Sequence, residues 1–205
     1  IILYLISNFF LCKDRVLSSF KTMDWVDGNL HLLDQTKLPS TEEIVICKTM
    51  DDVCESIRTM VVRGAPAIGC AAAFGYVLGI RSLVKDLNVE NMLPDSCSSL
   101  LTKGREKIYY SLLKTRPTAV NLEWALKQMQ SLDYREHESM RSYVNAIESK
   151  AICLLKEDIN TQFTQLVDLC AVDYIEYGIS EWQTREATNT GYNRGINPTS
   201  HSRID

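Results

Sequence analysis

An uncharged stretch of small and apolar residues constrains the fold more than any other part of this 205-residue chain. Residues 61–80 read VVRGAPAIGCAAAFGYVLGI, and no charged residue lies between Arg63 and Arg81. Small residues recur at every fourth position, which places them on one helix face and lets another backbone approach closely. They are Ala67, Ala71, Gly75 and Gly79. A membrane span needs about 20 apolar residues. This shorter stretch, interrupted by glycines, therefore predicts a buried core helix from Pro66 to about Leu83.

The composition is that of a globular protein, with 45% hydrophobic and 23% charged residues. The net charge of −4 and the lack of a long basic run argue against duplex nucleic acid as a partner. Seven cysteines occur without a CxxC pair, which argues against a zinc site and against a disulfide framework. We expect reduced thiols and a cytoplasmic protein, with the nucleus as the alternative location.

Both ends of the chain differ from the middle. The start, IILYLISNFFLC, has the length of a signal-peptide core but no basic region before it. The alternative is that residues 1–22 are a leader or untranslated-type extension and that the natural start is Met23. After about Thr161 the helical pattern weakens, and Thr184–Asp205 is polar. We expect residues 161–205 to be an atypical tail, disordered or mispredicted.

The middle of the chain predicts an α+β fold that is mainly helical. Residues 24–39 contain the turn signal Asp27-Gly28 beside a strand pattern, and Glu43–Cys47 is a second strand candidate. Thr49 and Asp52 have the spacing of a capping box, which opens a helix. Three further helical patterns follow the core helix, with a linker over 88–99. The prediction is a small antiparallel sheet followed by a helical bundle.

Two helix starts combine an arginine with a proline. In Arg63-Gly64-Ala65-Pro66, the proline fits the first turn of the core helix, and Ala65 before it is pushed towards an extended conformation. Gly64 permits a sharp turn and the close approach of a ligand. The free N–H groups and positive dipole end of the helix suit phosphate, for which Arg63 adds a fork of donors.

The second such start lies in KTRPTAVNLEWAL. Arg116 stands before Pro117, and Thr118 can cap or line the start of the next helix. A single arginine of this kind is more often a capped surface residue. Two in one domain favour convergence on one anionic ligand, and the residues alone leave both interpretations open.

A family resemblance rests on these motifs. VVRGAPAIG with its Ala/Gly-rich helix, together with TRPTAVNLEWAL, resembles methylthioribose-1-phosphate isomerases of the initiation factor 2B alpha/beta/delta-like family. The text DWVDGNLHLLDQTKLP is similar to the family's amino terminus, and Glu157-Asp158-Ile159 to the end of its helical domain. The resemblance covers about 24–160, so 23–160 is identified as the family's amino-terminal domain.

The resemblance implies a second, Rossmann-like domain that is largely missing from this chain. It implies isomerisation of methylthioribose 1-phosphate to methylthioribulose 1-phosphate in methionine salvage, without metal or other cofactor. The expected partner is the phosphosugar, with no nucleic acid and no membrane, and the family is expected to be a homodimer. Substrate binding is implied for Arg63, Gly64, Ala65 and Arg116.

The chain departs from the family pattern after residue 160. A cysteine and an aspartate of the second domain serve the isomerisation in the family, but no THCN-type motif follows here, and Cys170 has unmatched neighbours. We therefore expect no catalytic residue in this chain and an inactive, truncated product. Cys54, Cys70 and Cys153 are expected on buried helix faces. The alternatives are a ribose-1,5-bisphosphate isomerase and a non-catalytic regulatory subunit of the initiation factor 2B type.

Overall fold

The computed structural model of the protein describes residues 21–93 and 98–161. The predictions for Cys170, for the tail and for most of the extension 1–22 therefore lie outside the described residues. The chain divides into two compact units, Ile1–Asp158 and Ile159–Asp205. The elements below belong to the first unit, and the described residues 159–161 of the second unit are helical.

Three antiparallel strands in the order β1-β2-β3 form the sheet. They are β1 (Met23–Val26), β2 (Asn29–Leu33) and β3 (Ile44–Cys47). Asp27 and Gly28 both have positive φ, 49° and 77°, which is the backbone of a two-residue hairpin turn whose twist matches the strands. Leu30 and Leu32 of β2 are fully buried, so one face of the sheet packs on the helices. The turn and both predicted strands are confirmed.

Helices make up most of the rest of the first unit. They are α1 (Met50–Arg58), α2 (Ala65–Asp86), α3 (Ser98–Leu113), α4 (Val120–Gln130) and α5 (residues 140–158), with a short 3₁₀ turn at Tyr134–Glu136. The predicted α+β class, with a small sheet and a helical bundle, is confirmed.

The capping box at the start of α1 is present as predicted. The Thr49 hydroxyl accepts from the Asp52 amide, and the Asp52 carboxylate accepts from the Thr49 amide. The chain then breaks before α2, with positive φ at Met60 and at Gly64. The expectation that Ala65 is extended is wrong, because it is the first residue of α2. The bias against helix before proline is a preference, and Gly64 makes the turn one residue earlier.

Helix α2 is the centre of the core. Every residue from Ile68 to Ile80 is buried. Among the described residues, α2 is the one helix long and apolar enough to cross a membrane, yet 78% of its most apolar window is buried inside the protein. The predicted core helix is confirmed and extends three residues beyond Leu83. A β-carbon at Gly75 would lie 2.8 Å from Leu112 of α3 and 3.0 Å from Val53 of α1. The absence of a side chain at Gly75 therefore lets both helices pack closely against α2.

A polar network fastens the hairpin and α5 to α2. Glu148 accepts from the Trp25 indole N–H and from the Arg81 guanidinium, both at 2.6 Å. Arg81 also donates to the Gly28 carbonyl at 3.2 Å. The Trp25 ring stacks on Phe74 with centroids 4.7 Å apart. Because both charges are partly shielded from solvent, this pair holds three elements in register more firmly than an exposed pair would.

A second hydrogen-bond network is centred on Arg105. Arg105 donates to the Tyr76 hydroxyl and to the carbonyl oxygens of Gln130 and Leu132, at 3.0, 2.6 and 3.0 Å. These bonds satisfy carbonyl groups at and just beyond the end of α4. Arg105 therefore ties α2, α3 and the end of α4 together, which fixes the α4 axis against the core.

The cysteine predictions are confirmed for two of three residues. Cys54 and Cys70 are buried, but Cys153 is exposed. The buried face of α5 is formed by Ile147, Ala151 and Leu154. Cys153 lies two residues beyond Ala151, about 200° around the helix, where its thiol donates to Glu157.

We expect Gly75→Leu to lower the free energy of unfolding by roughly 1–3 kcal/mol or more, because the added side chain would overlap Leu112 and Val53. Lys85→Leu, at an exposed position of the same helix, should change it by less than about 0.5 kcal/mol. Urea unfolding of both variants measures the difference. A Gly75→Leu protein as stable as the parent would contradict the central position of α2.

Candidate anion-binding site

The backbone between α1 and α2 presents Arg63 to solvent. Gly64 has φ 88° and ψ 135°, a conformation that L-residues rarely adopt. Among the described residues other than its two chain neighbours, none has an atom within 4 Å of the position that a Gly64 β-carbon would take. Arg63, Gly64 and Ala65 are all exposed. The space beside this turn is therefore open, and glycine is required there by the backbone conformation rather than by crowding.

The start of α2 has no cap from its own side chains. Gly64 is the N-cap, no side chain accepts from the first turn, and the first turn contains no acidic residue. Pro66 lacks an N–H, and the first helical bond of this turn is from the Ile68 amide to the Gly64 carbonyl. The amides of Ala65 and Ala67 have no intrahelical acceptor at this position. In contrast to α1, this start retains both its donors and its positive dipole end for an external anion.

The start of α4 is built in a similar way. The Ala119 amide donates to the Arg116 carbonyl at 3.0 Å, which closes a turn with Pro117 at its second position, where its fixed φ is favoured. Ala119 is the N-cap and no side chain caps the helix. Of the two roles expected for Thr118, the capping role is wrong, because the turn moves the cap one residue further along the chain; that Thr118 lines the helix start stays a prediction. Arg116 is half-buried in this turn.

The two helix starts lie against each other. A β-carbon at Gly69, in the second turn of α2, would be 2.8 Å from the Asn121 carbonyl oxygen and 3.5 Å from the Ala125 β-carbon. Asn121 is the second residue of α4. The backbone in the second turn of α2 therefore packs closely against the backbone in the first turn of α4. The structure thus brings together the two segments that carry Arg63 and Arg116; that both guanidinium groups face one concave surface stays a prediction.

A buried carboxylate supports the Arg63 turn. Asp34 follows β2, and its Oδ1 accepts from the Thr36 amide at 2.9 Å and from the Thr36 hydroxyl at 2.6 Å. The neighbouring Gln35 amide donates to the Val61 carbonyl at 3.0 Å. This bond attaches the loop after β2 to the segment that leads into Arg63.

The electrostatics of Asp34 favour its ionised form. The hydrogen bond from the Thr36 hydroxyl lowers the pKa of Asp34 below 3.8, and the charges of Lys37 and Arg63 lower it further. A carboxylate that is ionised at neutral pH therefore lies near the Arg63 turn. Sequence reasoning missed Asp34, although aspartate is favoured in turns because its carboxylate accepts from the backbone amide two residues on.

The thiols near this site are unsuited to nucleophilic chemistry. Burial, with a smaller effect from the Asp158 charge, raises the pKa of Cys70 to about 12. Burial also raises the pKa of Cys47 and Cys54. A thiol in this state is protonated at neutral pH and a poor nucleophile. Within 21–93 and 98–161, no group of three His, Cys, Asp or Glu side chains could hold a metal ion.

The chain is similar in sequence to proteins of a known family. Residues 61–180 match the Initiation factor 2 subunit family. Relatives named methylthioribose-1-phosphate isomerase include those of Thermotoga maritima, 44% identical over 68% of this chain, and Thermosipho africanus, 42% identical over 67%. The chain covers 36% and 37% of these two relatives. It therefore spans little more than a third of their length.

Two solved structures resemble the fold. One is the translation initiation factor eIF-2B, subunit delta, from A. fulgidus, with a TM-score of 0.58 and 32% identity. The alignment covers 69% of this chain and 38% of that one. The other is 5-methylthioribose 1-phosphate isomerase from Pyrococcus horikoshii OT3, with a TM-score of 0.56 and 31% identity over 67% of this chain and 36% of that one. The same domain thus occurs in an isomerase and in a translation factor subunit.

We expect Thr36→Val to raise the pKa of Asp34 towards 3.8, because the mutation removes the hydroxyl that donates to the carboxylate. A lowered pKa stabilises the folded state above the unfolded value, and this stability is lost as the pH falls through the folded value. The variant should therefore be less stable at neutral pH and lose less stability on acidification. Carbon-detected NMR titration of the Asp34 carboxyl group gives the pKa directly.

Thr41→Val is the control for this titration. Thr41 is exposed, and its bond to the Lys37 carbonyl comes from the backbone amide, which the mutation retains. An Asp34 pKa that is the same in Thr36→Val and in the parent would show that the hydroxyl bond does not hold the carboxylate.

Proposed function

Because the chain belongs to the Initiation factor 2 subunit family, we propose that it carries the first-domain part of the substrate site of a methylthioribose-1-phosphate isomerase. The proposed ligand is methylthioribose 1-phosphate, a sugar phosphate. The proposed binding groups are Arg63, Gly64 and Ala65 at the start of α2 and Arg116 before α4. The relatives named as isomerases are 42–44% identical to this chain over about two thirds of its length, which supports the choice of ligand.

The observation that carries this proposal is the contact between two uncapped helix starts. Each start keeps free amides and the positive end of a helix dipole, and each is preceded by an arginine. A phosphate dianion gains charge-assisted hydrogen bonds from such donors. The contact of Gly69 with Asn121, close to both starts, supports the proposal that one small ligand reaches both.

In this proposal, the described domain binds the phosphosugar but does not supply the groups that isomerise it. Conversion of an aldose phosphate to a ketose phosphate requires an acid and a base near C1 and C2 of the sugar. The buried thiols of the first unit have raised pKa values and do not reach solvent. We therefore propose that this chain binds the phosphosugar without turning it over, in a cytoplasmic, homodimeric setting.

A second candidate function is that of a non-catalytic subunit of the initiation factor 2B type. The likeness to the A. fulgidus delta subunit, at a TM-score of 0.58, supports it. The two candidates differ in ligand: the isomerase reading requires affinity for methylthioribose 1-phosphate, whereas a subunit acts by assembly with other proteins. Ribose 1,5-bisphosphate is the comparison ligand for the related isomerase alternative.

We expect Arg63→Ala and Arg116→Ala each to weaken binding of methylthioribose 1-phosphate at least tenfold, because each removes charge-assisted bonds worth about 1.5–3 kcal/mol. Calorimetric titration of the 205-residue chain measures this. Arg58→Ala is the matched control, since Arg58 is an exposed arginine at the end of α1 that pairs with Glu55 and should leave affinity unchanged.

Equal affinity of the parent and both variants would contradict the shared site. Tighter binding of ribose 1,5-bisphosphate would favour the alternative isomerase. The chain should show no turnover of methylthioribose 1-phosphate. Turnover that Cys170→Ser abolishes would contradict the separation of binding from chemistry.

A further inference from the structure

Gly69 occupies a position where no other residue fits without movement of a helix. The β-carbon of any side chain there would lie 2.8 Å from the Asn121 carbonyl oxygen and 3.3 Å from its carbonyl carbon. Both atoms are backbone, within the first turn of α4. Ordinary contact begins at about 3.4 Å, so the α4 backbone would have to retreat by about 0.6 Å.

The other glycines that pack between the described helices face side chains instead. A β-carbon at Gly75 would meet Leu112 and Val53, one at Gly79 would meet Ile108, and one at Gly104 would meet Leu83. These neighbours are side chains, which can move or change rotamer at a cost in packing while the helix backbone stays in place. The Asn121 carbonyl is fixed by the helix that contains it. Gly69 therefore differs from its counterparts in acting on the position of a whole helix start.

We propose that Gly69 is a positioning residue: its lack of a side chain sets the separation between the starts of α2 and α4, and so between Arg63 and Arg116. This inference rests on the proposed function, because spacing matters only for a ligand that both starts bind. Gly69 itself is buried and is not among the proposed binding groups. It acts through the backbone of Asn121, which lies two residues beyond the turn closed between Arg116 and Ala119.

A side chain at Gly69 is expected to affect ligand affinity more than the stability of the fold. Hydrogen bonds to phosphate weaken steeply with distance, and misplacement by about 1 Å can cost about a hundredfold in function. A retreat of about 0.6 Å should therefore weaken a ligand held from both starts by at least about tenfold. Wider spacing at the far end of α2 would leave the ligand unaffected.

The test compares Gly69→Ala with Gly79→Ala, which introduces the same methyl group ten residues along the helix, about 15 Å away. Both variants lose packing, and urea unfolding reports how much. Calorimetry with methylthioribose 1-phosphate should show affinity reduced at least tenfold for Gly69→Ala and unchanged within about twofold for Gly79→Ala. Crystals of Gly69→Ala should show the starts of α2 and α4 further apart.

Parent-like affinity in a folded Gly69→Ala protein, or equal losses in both variants, would overturn the inference. If the parent does not bind the phosphosugar, the proposed function fails; the spacing in Gly69→Ala crystals then decides on Gly69 alone, with unchanged spacing overturning its role. Should Gly69→Ala not fold, Ala125→Val enlarges the residue that faces Gly69 from α4 and provides the same comparison.

Discussion

The structure depends on the burial of a helix that is apolar on every side. From Ile68 to Ile80 α2 has no face that water could cover, so the hairpin and the surrounding helices must enclose it. Its glycines admit neighbours at backbone distance, and the networks around Arg81 and Arg105 fix those neighbours with charged hydrogen bonds. A helix held so completely along its length presents its first turn at a defined position, which is what a binding site requires.

The distinguishing feature of the site is that its two helix starts lack capping side chains. A helix start normally satisfies its amides with a side chain, as Thr49 and Asp52 do for α1. The starts of α2 and α4 have no such side chain, and proline removes one of the donors of α2. An external anion can replace the missing caps, and two adjacent starts give it donors from two directions.

Local sequence signals predicted much of this, because they act over a few residues. The capping box, the Asp27-Gly28 turn, the four-residue spacing in α2 and both arginine–proline breaks each depend on near neighbours. The contact of Gly69 with Asn121 depends on how two helices cross, which no local pattern encodes. Ala65 and Cys153 were placed wrongly, and Thr118 does not cap α4, for a related reason: these outcomes depend on a shift of one residue or on which side of a helix the core covers.

The central claim is that the two helix starts act as one site. Amide chemical shifts of the isotope-labelled chain, followed while methylthioribose 1-phosphate is added, test it most directly. Gly64, Ala65 and Ala67 at the first start, and Val120 and Asn121 at the second, should shift together along curves with a single dissociation constant. Shifts confined to one start, or two starts that titrate with different constants, would contradict the account.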